Sequence, residues 1–95
     1  MEFRTHRIDI DGDTYTLREL SGLAVEEAQQ CNGEMRQGYA LIALSLVGPH
    51  GPLYPPDKLA DGLAYVLGLP TRVSQQLTDA VAKLNFADLD DARKN

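Results

Sequence analysis

Apolar and polar residues alternate on both sides of Asp11-Gly12, and from Leu20 onward the apolar residues recur every three to four positions. The first pattern predicts a half-buried β-hairpin and the second predicts amphipathic helices. Asp-Gly is a strong two-residue turn signal. Setting the turn there pairs Ile10 with Asp13, Ile8 with Tyr15 and His6 with Leu17. Asp9 then meets Thr14, Arg7 meets Thr16 and Thr5 meets Arg18. In this register Ile8, Ile10, Tyr15 and Leu17 share one face, and a one-residue slip would scatter them over both. A hairpin over residues 4–19 is marginal alone, so its apolar face must rest on helices.

A first helix is expected at 21–31. Leu20, Leu23, Ala24, Ala28 and Cys31 form its stripe, Ser21 is placed to cap it and Asn32-Gly33 to stop it. A second, at 34–47, carries Met35, Tyr39, Ile42, Ala43 and Leu46 on one face. Leu41, Leu44 and Val47 make it apolar nearly all round, which predicts a central, buried element. Positions 42–47 also fit a short strand, because a brief apolar run does not fix its own period. Residues 48–56 (Gly-Pro-His-Gly-Pro-Leu-Tyr-Pro-Pro) end it, since four prolines remove amide donors and two glycines permit turns. Leu53 and Tyr54 could form a short returning strand.

A third helix at 56–67 opens on Pro55-Pro56, places Leu59, Leu63, Val66 and Leu67 on its stripe and stops at Gly68. A fourth at 70–84 carries Val73, Leu77, Ala80, Val81 and Leu84, with Asn85 as its C-terminal cap. Residues 86–95 hold only Phe86 and Leu89 as large apolar groups, and a flexible tail is expected there. The fold class that follows is α+β: a mainly helical single domain at 1–85, its N-terminal hairpin packed on about four helices.

Composition narrows the function. With 9 Lys and Arg against 14 Asp and Glu, the net charge is −5, a poor match for a sequence-independent nucleic-acid binder. The single cysteine, Cys31, permits neither an internal disulfide nor a cysteine zinc site. No apolar run approaches the ~20 residues of a membrane-spanning helix. The N-terminus lacks the apolar core of a signal peptide, so the protein is expected to stay where it is made. No nucleic acid, membrane, metal or cofactor is therefore expected as a partner.

The run Asp9-Ile-Asp-Gly-Asp13 looks like the start of a calcium loop. Counted from Asp9, however, the sixth position is Thr14 and the twelfth Leu20, where that loop needs Gly and Glu. It reads instead as an acidic hairpin turn. His6 and His50 lack a clear third ligand, and Ser21, Ser45 and Ser74 lack the setting of a nucleophile. Asp88, Asp90 and Asp91 form an acidic cluster without a surrounding pocket sequence. No catalytic residues are expected, and the chain reads as a non-enzymatic binding protein.

Residues 15–20 (Tyr-Thr-Leu-Arg-Glu-Leu), the run 39–47 before a Gly-bearing corner, and Leu69-Pro70 followed by Leu77 and by 80–85 (Ala-Val-Ala-Lys-Leu-Asn) resemble the tail assembly chaperones of tailed bacteriophages. The resemblance spans 14–85. In that family the corner is usually acidic, whereas here it is Gly-Pro-His-Gly-Pro. The resemblance implies a small protein that binds the tape-measure protein, keeps it soluble and helps bring tail-tube subunits to it. It also implies action in the host cytoplasm and absence from the mature virion. Self-association is left open.

Within that reading, Leu53, Tyr54 and Tyr65 lie off the helical stripes or in the loop and are the candidate protein-contact residues. The alternative is a small regulatory adaptor or DNA-associated helical module, with a helix-turn-helix drawn across Gly68-Leu-Pro70. Its second helix would offer only Arg72 and Lys83 as cations.

Overall fold

A computed structural model of the chain describes the backbone of residues 3–94 and the side chains of residues 3–86. The chain forms strands β1 (Thr5–Ile10) and β2 (Asp13–Arg18), then helices α1 (Gly22–Gln29) and α2 (Glu34–Ser45). Two short strands follow, β3 (Val47–Gly48) and β4 (Gly51–Pro52), and then a 3₁₀ turn (Pro56–Lys58), α3 (Leu59–Leu67) and α4 (Thr71–Lys94). The expected α+β class holds, with an N-terminal hairpin packed on four helices.

The hairpin adopts the register set by its alternation, from Thr5 opposite Arg18 to Ile10 opposite Asp13. Asp11 and Gly12 both have positive φ, 54° and 87°, as a type I′ turn requires. The face carrying Ile10 and Leu17 joins Ile42, Leu46, Val66, Val73, Leu77 and Val81 in the main core. Helix α2 is the central element, packed against α1, α3 and α4. A smaller cluster of Ala28, Ala40 and Leu44 seals α1 onto it.

Several boundaries differ from expectation. Helix α2 ends at Ser45, not at 47, because Leu46 turns extended (φ −67°, ψ 129°) and forms an antiparallel bridge with Leu17 of β2. Leu46 stays buried, so the chain leaves the helix without leaving the core. Val47 and Gly48 then pair with Pro52 and Gly51 in a small second sheet. Helix α1 is shorter than 21–31, with Ser21 as its N-cap accepting from the Ala24 amide. The third segment begins as a 3₁₀ turn and becomes α-helical at Leu59.

Helix α4 does not stop at residue 84. Asn85 is not a cap: its Oδ1 accepts from the Leu20 amide at 2.8 Å and its Nδ2 donates to the Val81 carbonyl at 2.8 Å. The side chain expected to end the helix instead ties it to the hairpin's exit, and the backbone continues helical to Lys94. The flexible tail expected at 86–95 thus starts inside a helix, and its side chains from 87 onward lie outside the described residues. Met35 and Leu23, assigned to buried stripes, are 72% and 61% exposed.

Candidate protein-contact site

The proline-rich corner and α3 bring Leu53, Tyr54 and Tyr65 together. All three line one open cleft of about 400 Å³ between β2 and the small β3–β4 sheet. A bridge between Leu17 and Leu46 links β2 to the start of the small sheet, and among the described residues the rest of β2 has no ladder partner on this side. The cleft lies where they part.

Tyr54 is seated by Gly62. A Cβ at that position would stand 2.8 Å from Tyr54 Cγ and 2.8 Å from Ala43 Cβ, so only glycine lets α3, α2 and the ring approach this closely. One turn further along α3, Tyr65 places its ring centroid 6.0 Å from that of Tyr54, tilted 31°. This spacing falls within the usual range for aromatic pairs. Leu53 is 50% exposed and Tyr65 is 41% exposed, while Tyr54 is half-buried. The amide of Leu53 donates to the Leu46 carbonyl at 3.0 Å, which fixes the loop against the α2 exit.

Tyr15 forms the opposite wall, and sequence reasoning missed it as a site residue. Alternation placed it correctly on the hairpin's apolar face, but that face reaches the edge of the core at Tyr15. A phenol among aliphatic residues was the available signal, because a tyrosine hydroxyl needs a polar partner or water. Burial pushes the Tyr15 phenol above its ordinary value, with the neighbouring Tyr65 phenol, Asp13 and Asp11 adding to the shift. Asp13 also lines the cleft, together with Thr14 and Thr16, and among the described residues no Lys, Arg or His does.

On the other side of the hairpin, β1 and α4 enclose a groove of about 450 Å³ lined by Arg4, His6, Lys83 and Leu84 among others. Its mouth is held by Arg4, which bonds the Leu84 carbonyl at 3.0 Å and pairs with Glu19 at 3.2 Å. The Arg4 backbone amide, and then its guanidinium, hold the Glu19 carboxyl below its usual value.

The other residues weighed from sequence fall elsewhere. In the acidic turn, Asp9 accepts from the Thr14 hydroxyl at 2.6 Å and Asp11 pairs with Arg72 at 2.8 Å. Arg72, one of two cations in the helix-turn-helix alternative, is thus already engaged. His50 is exposed in the turn between β3 and β4, and Cys31 is a half-buried free thiol. Among the described residues, no group of three or more His, Cys, Asp or Glu side chains is placed to hold a metal ion. None of the described helices is long and apolar enough to cross a membrane. Compared with known proteins, the chain matches no family model, no curated sequence and no solved structure.

Proposed function

We propose that this protein is a tail assembly chaperone of a tailed bacteriophage, which binds the tape-measure protein and keeps it soluble in the host cytoplasm during tail assembly. The observation that carries the reading is the convergence of Leu53, Tyr54 and Tyr65 with Tyr15 on one open cleft, two of them about half exposed. The sequence resemblance over 14–85 supplies the client. A cleft lined by aromatic and aliphatic side chains together with Asp13, Thr14 and Thr16 suits an amphipathic segment. Each large side chain covered on binding contributes roughly 1.5–3 kcal/mol, and tyrosines are favoured at the centres of contact surfaces. The net charge of −5 would keep a chaperone–client complex dispersed. In this scheme tail-tube protein is recruited to the complex, and the chaperone leaves before the virion is complete.

The test is co-expression with the tape-measure-like reading frame of the same genome. Wild type is expected to hold that product in the soluble fraction and co-purify with it. Leu53→Asp and Tyr65→Asp, at exposed positions that leave the core intact, are expected to lose it while remaining folded. Failure of folded wild type to capture or solubilise the client would sink the assignment.

A further inference from the structure

We infer that the tyrosine cleft selects a cationic side chain: the partner segment that enters it presents a lysine or arginine between apolar neighbours. The inference rests on the cleft being the contact site proposed above and adds the chemistry of what fills it. Three of the chain's four tyrosines line the cleft. Aromatic rings attract a cation held over their faces within ~6 Å, and the attraction grows as water is excluded. Val47 and Leu53 supply apolar surface for the methylene stem of such a side chain, which buries along apolar groups while its charged end finds a polar partner.

The polar partner is Asp13, the one charged residue in the lining among the described residues. Asp13 has no ion pair among the described residues, whereas its neighbour Asp11 is occupied by Arg72. An aliphatic occupant would cover Asp13 and leave a carboxylate desolvated without a partner, at a cost larger than that of a neutral unsatisfied group. An acidic occupant would meet like charge, in surroundings that already disfavour ionisation of Tyr15. A basic one satisfies both the carboxylate and the rings. Arg4 and Lys83 line the groove on the other side of the hairpin and not this cleft.

The probe is a set of three fluorescein-labelled amphipathic peptides of about 14 residues, built on one Ala, Leu and Gln sequence. They differ only at the central apolar-face position, which is lysine, norleucine or glutamate. Fluorescence anisotropy with the full chain at low ionic strength is expected to rank lysine tightest, by about five- to tenfold over norleucine, with glutamate weakest. Asp13→Asn and Tyr65→Leu should each remove the lysine preference. Tyr65→Phe should keep it, and so should Glu26→Gln, which removes the same charge outside the cleft. Near-UV circular dichroism establishes that each variant is folded.

Equal or tighter binding of the norleucine peptide would overturn the inference. So would a lysine preference that survives Asp13→Asn, or absence of binding by all three peptides. If the lysine preference fails while wild type still captures the tape-measure product, the cation inference falls alone. If the preference holds while capture fails, the cleft chemistry stands and the chaperone assignment falls.

Discussion

Two helical glycines should respond to the same substitution with opposite signs. In α3, a Cβ on Gly62 would lie 2.8 Å from Ala43 Cβ, 2.8 Å from Tyr54 Cγ and 2.9 Å from Tyr54 Cβ. None of these atoms is the far end of a flexible side chain. Ala43 has no rotamer to change, and the first atoms of the Tyr54 side chain move only with the loop backbone. Relief therefore requires α2 and α3 to separate or the loop at Tyr54 to shift, and overpacking of this kind costs ~1–3 kcal/mol. Against it stands the gain of ~1 kcal/mol from replacing Gly by Ala within a helix. The net loss for Gly62→Ala is about 1 kcal/mol, which lowers Tm by ~4–8 °C in a domain of this size.

Gly38, inside α2, faces open space: a Cβ there would meet nothing within 4 Å. Gly38→Ala therefore receives the helix gain without the clash and should raise Tm by a few degrees. Thermal melts of both variants decide the matter. The chain has no tryptophan, so its near-UV circular dichroism reports mainly on tyrosine, and Gly62→Ala should also change the signal of the Tyr54 and Tyr65 pair. If Gly62→Ala melts at or above wild type, moving in the same direction as Gly38→Ala, the tight seat for Tyr54 does not exist.

Asn85→Ala removes the acceptor of the half-buried Leu20 amide and should cost ~1–2 kcal/mol, with faster hydrogen exchange at Leu20; unchanged exchange there would refute the clamp. The Ser45 hydroxyl is buried without a partner among the described residues, so Ser45→Ala should raise stability by about 1 kcal/mol, checked by urea unfolding. Glu19 has a folded value below its unfolded one, so its contribution is present above the unfolded value of ~4.3 and is lost as pH falls through the folded one. The stability gap between wild type and Glu19→Gln should accordingly close in acid, and a gap that widens there would contradict the assigned contacts. Millimolar calcium and chelator should give superimposable melts, because the Asp9 and Asp11 carboxylates already have partners in a type I′ turn.

The elements whose local and tertiary demands agree were legible in the sequence. The hairpin's period of two, its Asp-Gly turn and its one-sided apolar face all specify the same register, and that register is observed. Helix ends were less legible where a distant residue decides them. Leu46 continues the helical pattern of α2, yet a strand much earlier in the chain draws it extended. Asn85 is a good terminator by local preference, but its amide is engaged by Leu20, 65 positions away, and by Val81. Met35 shows a third kind of limit. Apolar spacing identifies which face of a helix is buried, but not how far along that face the neighbouring elements reach.

The same distinction explains why the candidate site was only partly visible. Leu53, Tyr54 and Tyr65 stood out because they fell outside every stripe, so a search for apolar residues without a core role was bound to find them. Tyr15 fell inside a stripe and was counted as core. Its ring does belong to the hairpin's apolar face, and half-burial lets it serve the core on one side and the cleft on the other. Gly62 was invisible for a different reason: a glycine in a helix reads as a weakness in propensity, and its use as the space that seats Tyr54 exists only once α2, α3 and the loop are brought together. Residues that bound a site from two elements at once carry no excess in their own local pattern. A surface built where a core runs out is thus read from the sequence by its leftovers, and its remaining walls come from residues the core has already claimed.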